Sequence, residues 1–310
     1  MIAFATDYKG EEPNISHLED VLKNISNAGF NFIHWVHEWQ GNYIYSKEEM
    51  LQIKDLIDKY NLKVKGIHGS EGGVRLDIEG RYKHRNEHDN RKDYTSVNEY
   101  NRKAGVELIK NRVDLASIIG AKEVVIHMQL PWKSMEESQE FKDIYYSQVF
   151  KSLDELKDYC INMGVKIGIE NLIGTPNKWQ IEQFDMLFSR YDKEFLGFCF
   201  DSGHGLIMNG EDPFQLVRRY LDRLIGLHLN DNRGATKEEL ENDLSTVKND
   251  LHMIPFEGDI NWHELIKIIK DSPYKLPLTM ELSLREKDEK AFLDRAYKAG
   301  MRLLDIYEKA

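Results

Sequence analysis

Short runs of apolar residues alternate with stretches of helical spacing along the whole chain. The first run, IAFATD at 2–7, is followed by a stretch whose apolar residues recur at helical intervals, and this order then repeats. Runs this short and rich in β-branched residues are typical of strands that are buried on both faces. The eight predicted strands occupy residues 2–7, 31–36, 62–69, 122–128, 165–171, 195–204, 223–231 and 276–282.

Helical stretches separate the predicted strands, and local signals mark where several of them begin. Ser46 and Glu49 have the spacing of a helix-starting capping box, and so do Ser134 and Glu137. Eight strand–helix units predict an α/β fold, a single-domain (β/α)8 TIM barrel spanning residues 1–310. A doubly wound open sheet is the alternative architecture. The absence of a G-x-G-x-x-G motif after the first strand counts against that alternative.

The composition narrows the classes of function. Asp and Glu number 53 against 42 Lys and Arg, so the formal net charge is −11. An acidic surface disfavours non-specific binding to nucleic acid and to anionic membranes. No apolar run approaches the roughly 18 residues of a membrane span, and the first residues lack the pattern of a signal peptide. Two cysteines make no disulfide framework, so we predict a cytoplasmic protein without membrane contact.

Acidic and histidine side chains stand at the ends of six consecutive predicted strands. In chain order these are His68, His127, Glu170, Asp201, His228 and Glu281. The carboxyl ends of barrel strands meet at one mouth, where imidazole and carboxylate groups together suit divalent transition metals. A buried carboxylate also needs a partner or a cation, which applies to Glu170 and Glu281 because both follow apolar runs. His204 stands three residues after Asp201, and Asp250 and His252 lie in the loop that follows strand seven.

These motifs resemble those of the xylose isomerase-like TIM-barrel superfamily. The matching segments are GIHGS (66–70), VIHM (125–128), IEN (169–171), FDSGH (200–204), HLND (228–231), D-x-H (250–252), FEGDINW (256–262) and MEL (280–282). The superfamily contains sugar phosphate isomerases and epimerases, ketose 3-epimerases, inosose dehydratases and apurinic endonucleases of the endonuclease IV type. The resemblance therefore implies a metal-dependent enzyme on a TIM barrel, and it allows a homodimer.

The resemblance also implies residue roles. In the sugar-acting members, one metal ion is held by the residues that match Glu170, Asp201, His228 and Glu281. The two glutamates also exchange protons with the substrate there, which makes Glu170 and Glu281 the implied catalytic pair. His204 matches a substrate-binding residue. In the endonuclease members, a three-zinc cluster uses these five positions together with the matches of His68, His127, Asp250 and His252.

Two kinds of chemistry compete for this set of residues. Isomerisation or epimerisation needs a cation to polarise a carbonyl, with a base on one face of the substrate and an acid on the other. Cleavage of abasic DNA needs several metals and basic loops that hold phosphates. The loop HGSEGGVRLDIEG at 68–80 is acidic, and HEWQGNYIY at 37–45 lacks Lys and Arg. Arg233 and Arg285 suit a single phosphate or a polyol better than a duplex.

We therefore predict a divalent-metal-dependent sugar or sugar phosphate isomerase or epimerase, acting through an enediolate on a small sugar or polyol rather than on nucleic acid. Predicted substrate contacts are His68, His204, Arg233 and Arg285, and Zn or Mn is favoured over Co and Mg. A multi-zinc endonuclease and a non-catalytic sugar-binding or metal-binding barrel are the alternatives. The basic-leaning run at 81–94 is predicted to be either a solvated loop or a lid.

Overall fold

Eight parallel strands surround a central axis in the computed structural model, which describes residues 1–10, 15–38, 43–69, 75–83, 92–209, 212–242 and 247–310. From the first strand to the seventh, each strand pairs with the next in chain order, and the first also pairs with the eighth. The predicted TIM barrel is confirmed. The strands are β1 Ile2–Ala5, β2 Phe32–Trp35, β3 Lys63–His68, β4 Glu123–Ile126, β5 Lys166–Glu170, β6 Leu196–Asp201, β7 Leu224–His228 and β8 Leu278–Met280.

One seam of the barrel, between β7 and β8, is closed just beyond the end of β7. Leu229 forms an isolated parallel bridge with Met280. The Leu229 N–H donates to the Thr279 carbonyl at 2.9 Å, and the Glu281 N–H donates to the Leu229 carbonyl at 3.2 Å. These two bonds join the strands that carry His228 and Glu281.

Helices cover the outside of the barrel, and a short hairpin of Arg75–Leu76 with Tyr82–Lys83 precedes the third of them. Among the described residues, none of the helices has both the length and the apolar composition needed to cross a bilayer. The α-helices are α1 Ile15–Asn27, α2 Lys47–Lys59, α3 Glu99–Ile119, α4 Trp132–Glu137, α5 Gln139–Met163, α6 Asn177–Arg190, α7 Ser202–Met208, α8 Gln215–Arg219, α9 Lys237–Asn242, α10 Trp262–Lys270 and α11 Glu289–Lys309.

Helix α10 shows how the apolar spacing produces the core. Trp262, Leu265, Ile266 and Ile269 recur at the spacing of one helix face, and all four are buried against the barrel. Full burial of each such side chain contributes about 1.5–3 kcal/mol. The apolar stripe therefore fixes which face of the helix meets the strands.

The two predicted capping boxes have different outcomes. Ser46 caps α2, because its side chain accepts a hydrogen bond from the Glu49 N–H. The prediction for Ser134 is wrong, because α4 begins two residues earlier and the Ser134 hydroxyl instead accepts the Tyr82 N–H of the hairpin. Ser138 caps the longer helix α5. The Ser134 hydroxyl is thus used in a tertiary hydrogen bond, although the local spacing predicts that it caps a helix.

Candidate active site

Four ligand-type side chains meet at the mouth formed by the carboxyl ends of β5 to β8. They are Glu170, Asp201, His228 and Glu281, the set that the resemblance implies for one metal ion. Each offers one ligand atom, and these atoms all lie within 4.8 Å of one another. All four residues are buried, and the most accessible of them is only 6% exposed. The barrel therefore gathers three carboxylates and one imidazole in a buried site.

The Nδ1 atom of His228 marks the centre of this group. It lies 3.1 Å from Oε2 of Glu170 and 3.2 Å from Oε2 of Glu281. Within the described part of the chain, no group makes a hydrogen bond with this buried nitrogen. An imidazole nitrogen that faces two carboxylates without a hydrogen bond fits a ligand set for a divalent cation.

Two asparagines hold Asp201 in place. The Asp201 carboxylate accepts the His204 N–H at 2.7 Å and the Asn230 side-chain amide at 2.8 Å. The Asn171 side chain donates to the Asp201 carbonyl at 2.9 Å and accepts the Asp201 N–H at 2.8 Å. Supports of this kind orient ligands in metal sites. Asn171 and Asn230 belong to the quoted motifs IEN and HLND, but sequence reasoning gave them no role.

A second group shares Glu170 and adds His68 and His127. His127 Nε2 lies 3.1 Å from Oε2 of Glu170, and His68 Nε2 lies 3.2 Å from His127 Nε2. Ligand-type atoms of the three residues lie within 4.8 Å of one another. His68 is thus placed to bind either a substrate or a second cation, as the sequence left open.

A third group consists of His204, Asp250 and His252. His204 Nε2 lies 3.5 Å from Asp250, and His252 Nε2 lies 3.1 Å from it. The other ring nitrogen of His252 lies 3.1 Å from the Glu281 carbonyl oxygen, which links this group to the first. His252 has a left-handed backbone, with φ of 46°. The loop after β7 therefore needs support to keep this conformation.

Asp231 supplies that support. Its carboxylate accepts hydrogen bonds from four N–H groups, those of Asn232, Phe256, Ile260 and the Trp262 indole, at 2.8–3.1 Å. Asp231 also forms an antiparallel bridge with Met253, next to His252. The motifs HLND and FEGDINW stand far apart in the sequence, and their spacing does not predict this contact. The carboxylate of one motif fixes the backbone of the other.

We expect Asp231→Ala to lower the free energy of unfolding by about 3 kcal/mol or more, because four N–H donors, three of them buried, lose their carboxylate acceptor. Chemical denaturation would measure the change. The matched control is Asp259→Ala in the same loop, where the carboxylate is 60% exposed and 3.8 Å from Arg233. That control should change stability by no more than about 0.5 kcal/mol. Equal stability of the two variants would contradict the role of Asp231.

The surroundings shift the pKa values of Glu170 and Glu281 in opposite directions. Burial raises the pKa of Glu281 to about 7, although His228 and His252 oppose the shift. Burial also opposes ionisation of Glu170, but His228 and His127 outweigh it and hold the pKa of that carboxyl well below its usual range. Near neutral pH, Glu170 is therefore a carboxylate while Glu281 can hold or release a proton. Such pairs are typical of acid–base sites.

The surroundings of three histidines, His204, His228 and His252, raise their pKa values. Burial lowers the pKa of His228, but Cys199, Glu170 and Glu281 outweigh it and hold that pKa well above the usual value. For His252, burial is likewise outweighed by Asp250, so its pKa rises to about 10. The pKa of His204 is also raised well above its usual value, by Asp201 and Asp250 against burial. Their raised pKa values favour the protonated form of these imidazoles.

We therefore expect metal binding at pH 7 to release about one proton or more, because only a deprotonated imidazole binds a metal. The direction of the pH dependence follows from this competition. Raising the pH removes the protons that compete with the metal, so metal affinity rises between pH 6 and 8. Calorimetric titration with metal in two buffers of different ionisation enthalpy measures the released protons. A binding enthalpy that does not depend on the buffer would contradict this expectation.

The two predicted arginines have different surroundings. The Arg285 guanidinium donates to the Asp250 carbonyl at 3.1 Å, beside the third group. Arg233 is exposed, and its guanidinium lies 3.8 Å from Asp259 and donates to the Glu257 carbonyl. Their substrate roles stay predictions. Of the predicted loop or lid at 81–94, residues 84–91 lie outside the described part of the chain.

Two residues near the mouth differ from the sequence-based expectation: of the two histidines near the end of the second predicted strand, His37 with Glu38 was favoured over His34 as a pocket residue, and Asp7 was given no role. His34 on β2 is buried, with its Nε2 atom 3.3 Å from Nε2 of His228. Asp7 follows β1, and in the described structure its buried Oδ1 has no hydrogen-bond partner. Burial raises the pKa of Asp7, and its charge acts on His252 and Glu281. His34 lies within an apolar strand, so only the alternation of side chains could have indicated its direction.

Comparison with solved structures supports the fold. A D-tagatose 3-epimerase-like protein superposes with a TM-score of 0.70 at 19% identity, covering 99% of this chain and 98% of that one. The 3-keto-D-glucoside 4-epimerase of E. coli superposes with a TM-score of 0.65 at 16% identity, covering 97% and 98%. At such identities these likenesses show the fold alone.

Comparison with curated proteins and with family models identifies proteins related to this chain by sequence. An uncharacterized protein, y4fM of Sinorhizobium fredii, is 29% identical over 305 residues, covering 96% of this chain and 91% of that protein. The inosose dehydratase of Lacticaseibacillus casei is 29% identical over 177 residues, which are 54% of this chain and 58% of the dehydratase. A family model described as xylose isomerase-like TIM barrel matches residues 22–306. The chain belongs to the xylose isomerase-like TIM-barrel family.

Proposed function

We propose that this protein is a divalent-metal-dependent isomerase or epimerase of a sugar or sugar phosphate. The observation that carries the proposal is the pair of buried glutamates, Glu170 and Glu281, which approach His228 Nδ1 from two strands. Mere binding does not need two facing carboxylates with different pKa values. The inosose dehydratase relative supports a sugar or polyol as substrate, and the structural neighbours named as sugar epimerases share the fold.

The residues divide the proton transfer between them. Glu170, ionised near neutral pH, takes the proton from the carbon next to the substrate carbonyl. Glu281 delivers a proton from the other side. In an epimerisation this proton goes to the same carbon and the carbonyl re-forms. In an isomerisation it goes to the carbon of the former carbonyl, whose oxygen gains the proton that the neighbouring hydroxyl loses as the new carbonyl forms. A divalent ion held by Glu170, Asp201, His228 and Glu281 would polarise the carbonyl and stabilise the negative charge on its oxygen. The mixed imidazole and carboxylate donors favour Zn or Mn over Mg.

Other residues at the mouth would set substrate specificity. His68 and His204 offer imidazoles for substrate hydroxyls. Arg285 offers a guanidinium beside the third group, which suits a phosphate or a polyol. The cytoplasmic location and the homodimer stay predictions, which cell fractionation and light scattering would test.

Exchange of substrate hydrogen with solvent tests the proposed chemistry directly. The full chain, loaded with Mn or Zn, is incubated in D2O with a panel of ketoses, aldoses and their phosphates. We expect deuterium at the carbon next to the carbonyl of at least one sugar, seen by NMR, together with its epimer or isomer. A product lighter by one water would instead indicate a dehydratase. No exchange with any sugar by fully loaded protein would contradict the proposal.

One observation favours a second candidate, a multi-zinc phosphodiesterase of the endonuclease IV type. The second and third groups, His68–His127–Glu170 and His204–Asp250–His252, could each hold a further ion. Metal analysis of protein purified without chelator separates the two candidates. About one tightly bound ion per chain supports the sugar enzyme. Two or three zinc ions, with incision of abasic-site DNA at catalytic enzyme concentration, would favour the hydrolase.

A further inference from the structure

A second buried imidazole lies against His228 on the side opposite the carboxylates. His34 is 1% exposed, and its Nε2 atom lies 3.3 Å from Nε2 of His228. The two ring centroids are 4.9 Å apart, with an interplanar angle of 65°. The His34 ring also lies 6.3 Å from that of His68. Neither the motifs nor the proposed proton transfer gives His34 a role.

The backbone of β2 fixes the direction of His34. Its register against β3 shifts between Ile33 and His34, an irregularity of the kind that re-aims side chains near functional sites. The His34 carbonyl accepts the Thr6 N–H of the preceding strand at 3.1 Å. Ile33 and Trp35 on either side pack in the hydrophobic core. Because successive strand residues point to opposite faces, His34 is the one that meets His228 inside the barrel.

The contact between the two rings constrains where their protons lie. Two imidazole nitrogens 3.3 Å apart can share one hydrogen, so one ring donates and the other accepts. The other nitrogen of His228, Nδ1, faces Glu170 and Glu281. If Nδ1 offers its lone pair to a cation, the proton of neutral His228 must lie on Nε2. His34 Nε2 is then the acceptor of that proton.

We propose that His34 is a positioning residue that fixes the tautomer and the ring orientation of His228, so that Nδ1 is presented as a metal ligand. Ligating histidines in metal sites usually donate their other ring N–H to a neighbouring acceptor. Here the acceptor is a second imidazole rather than a carboxylate or a carbonyl. The inference rests on the metal site of the proposed function but not on the identity of the substrate.

Metal affinity, measured without substrate, tests the inference. Competition with a chromophoric chelator gives the Kd for Zn and Mn. His34→Phe fills the space but removes the acceptor, so we expect about 10- to 100-fold weaker binding. His34→Gln keeps an acceptor near the position of Nε2 and should restore affinity to within about threefold of wild type. His37→Phe is the matched control, because His37 Nδ1 lies 2.6 Å from the Tyr45 hydroxyl, and its affinity should equal that of wild type.

The tautomer itself can be read in the wild-type protein, which removes any dependence on the folding of a variant. Long-range 1H–15N spectra of the zinc-loaded chain should show His228 with its proton on Nε2 and the metal on Nδ1. A proton on Nδ1, or unchanged affinity in a folded His34→Phe variant, overturns the role of His34. A wild-type chain that binds neither Zn nor Mn overturns the metal site itself, and with it the proposed function.

Discussion

Glu170→Gln is expected to lower kcat/KM by at least about 1,000-fold while leaving the fold intact. Oε2 of Glu170 lies 3.1 Å from both His228 Nδ1 and His127 Nε2. This carboxylate therefore belongs to two of the three groups of ligand-type residues at the mouth. The amide cannot take a proton from carbon, and a positioned general base alone contributes about 10²–10⁴-fold. It also binds a divalent cation more weakly. Steady-state kinetics on the most active sugar, with circular dichroism of the variant, would measure both effects.

Glu123→Gln provides the matched control for this experiment. Glu123 is also a buried glutamate, on the neighbouring strand β4, but it forms an ion pair with Lys65 near the start of the strands. We expect this variant to keep its turnover and its metal content, while stability falls by about 3 kcal/mol because Lys65 loses its partner. Turnover of Glu170→Gln within tenfold of wild type would remove Glu170 from the mechanism.

Removal of the metal should abolish turnover and lower Tm by about 5–10 °C. Four acidic residues at the mouth have only histidines as ion-pair partners in the described structure. They are Glu170, Asp201, Asp250 and Glu281. A cation bound at a thousandfold excess over its Kd adds about 4 kcal/mol of stability, which moves the Tm of a domain this large by several degrees. Calorimetry before and after chelation measures the shift.

Restoring the metal is the control for chelation damage. Chelated protein supplied with Mn or Zn should regain its Tm and its turnover, and Mg should restore less because the site contains imidazole. Asp201→Asn should show a much smaller rise in Tm with metal, since one carboxylate ligand is lost. An active enzyme with an unchanged Tm after complete chelation would mean that these side chains hold no functional metal.

The order of strands and helices follows from the sequence, but the ends of elements do not always. Residues 195–204 were predicted as one strand, whereas β6 ends at Asp201 and α7 begins at Ser202. Asp201 is the last strand residue and also the N-cap of that helix, accepting the His204 N–H. A single carboxylate thus has two roles, and neither hydrophobic spacing nor capping patterns reveals such a junction by itself.

Site residues could be predicted from the sequence where their position on a strand determines that they reach the mouth of the barrel. Glu170, Asp201, His228 and Glu281 stand at strand ends, and a barrel brings all such ends to one mouth. His34 was not predictable in this way, because β2 is apolar on both sides and alternation alone does not say which side faces inward. Asn171 and Asp231 were missed for another reason: their roles are hydrogen bonds with the backbone of residues distant in the sequence, which no local pattern records.

The seam between β7 and β8 gives the proposed metal a mechanical role as well. This seam is joined by one isolated bridge, whereas β6 and β7 share four paired positions. His228 and Glu281 stand on its two edges, with 3.2 Å between their facing atoms. An ion bound to both residues would link β7 to β8, the neighbouring strands that share the fewest paired positions in the described barrel. Loading the metal would then suppress local opening of the ring at the same time as it completes the site.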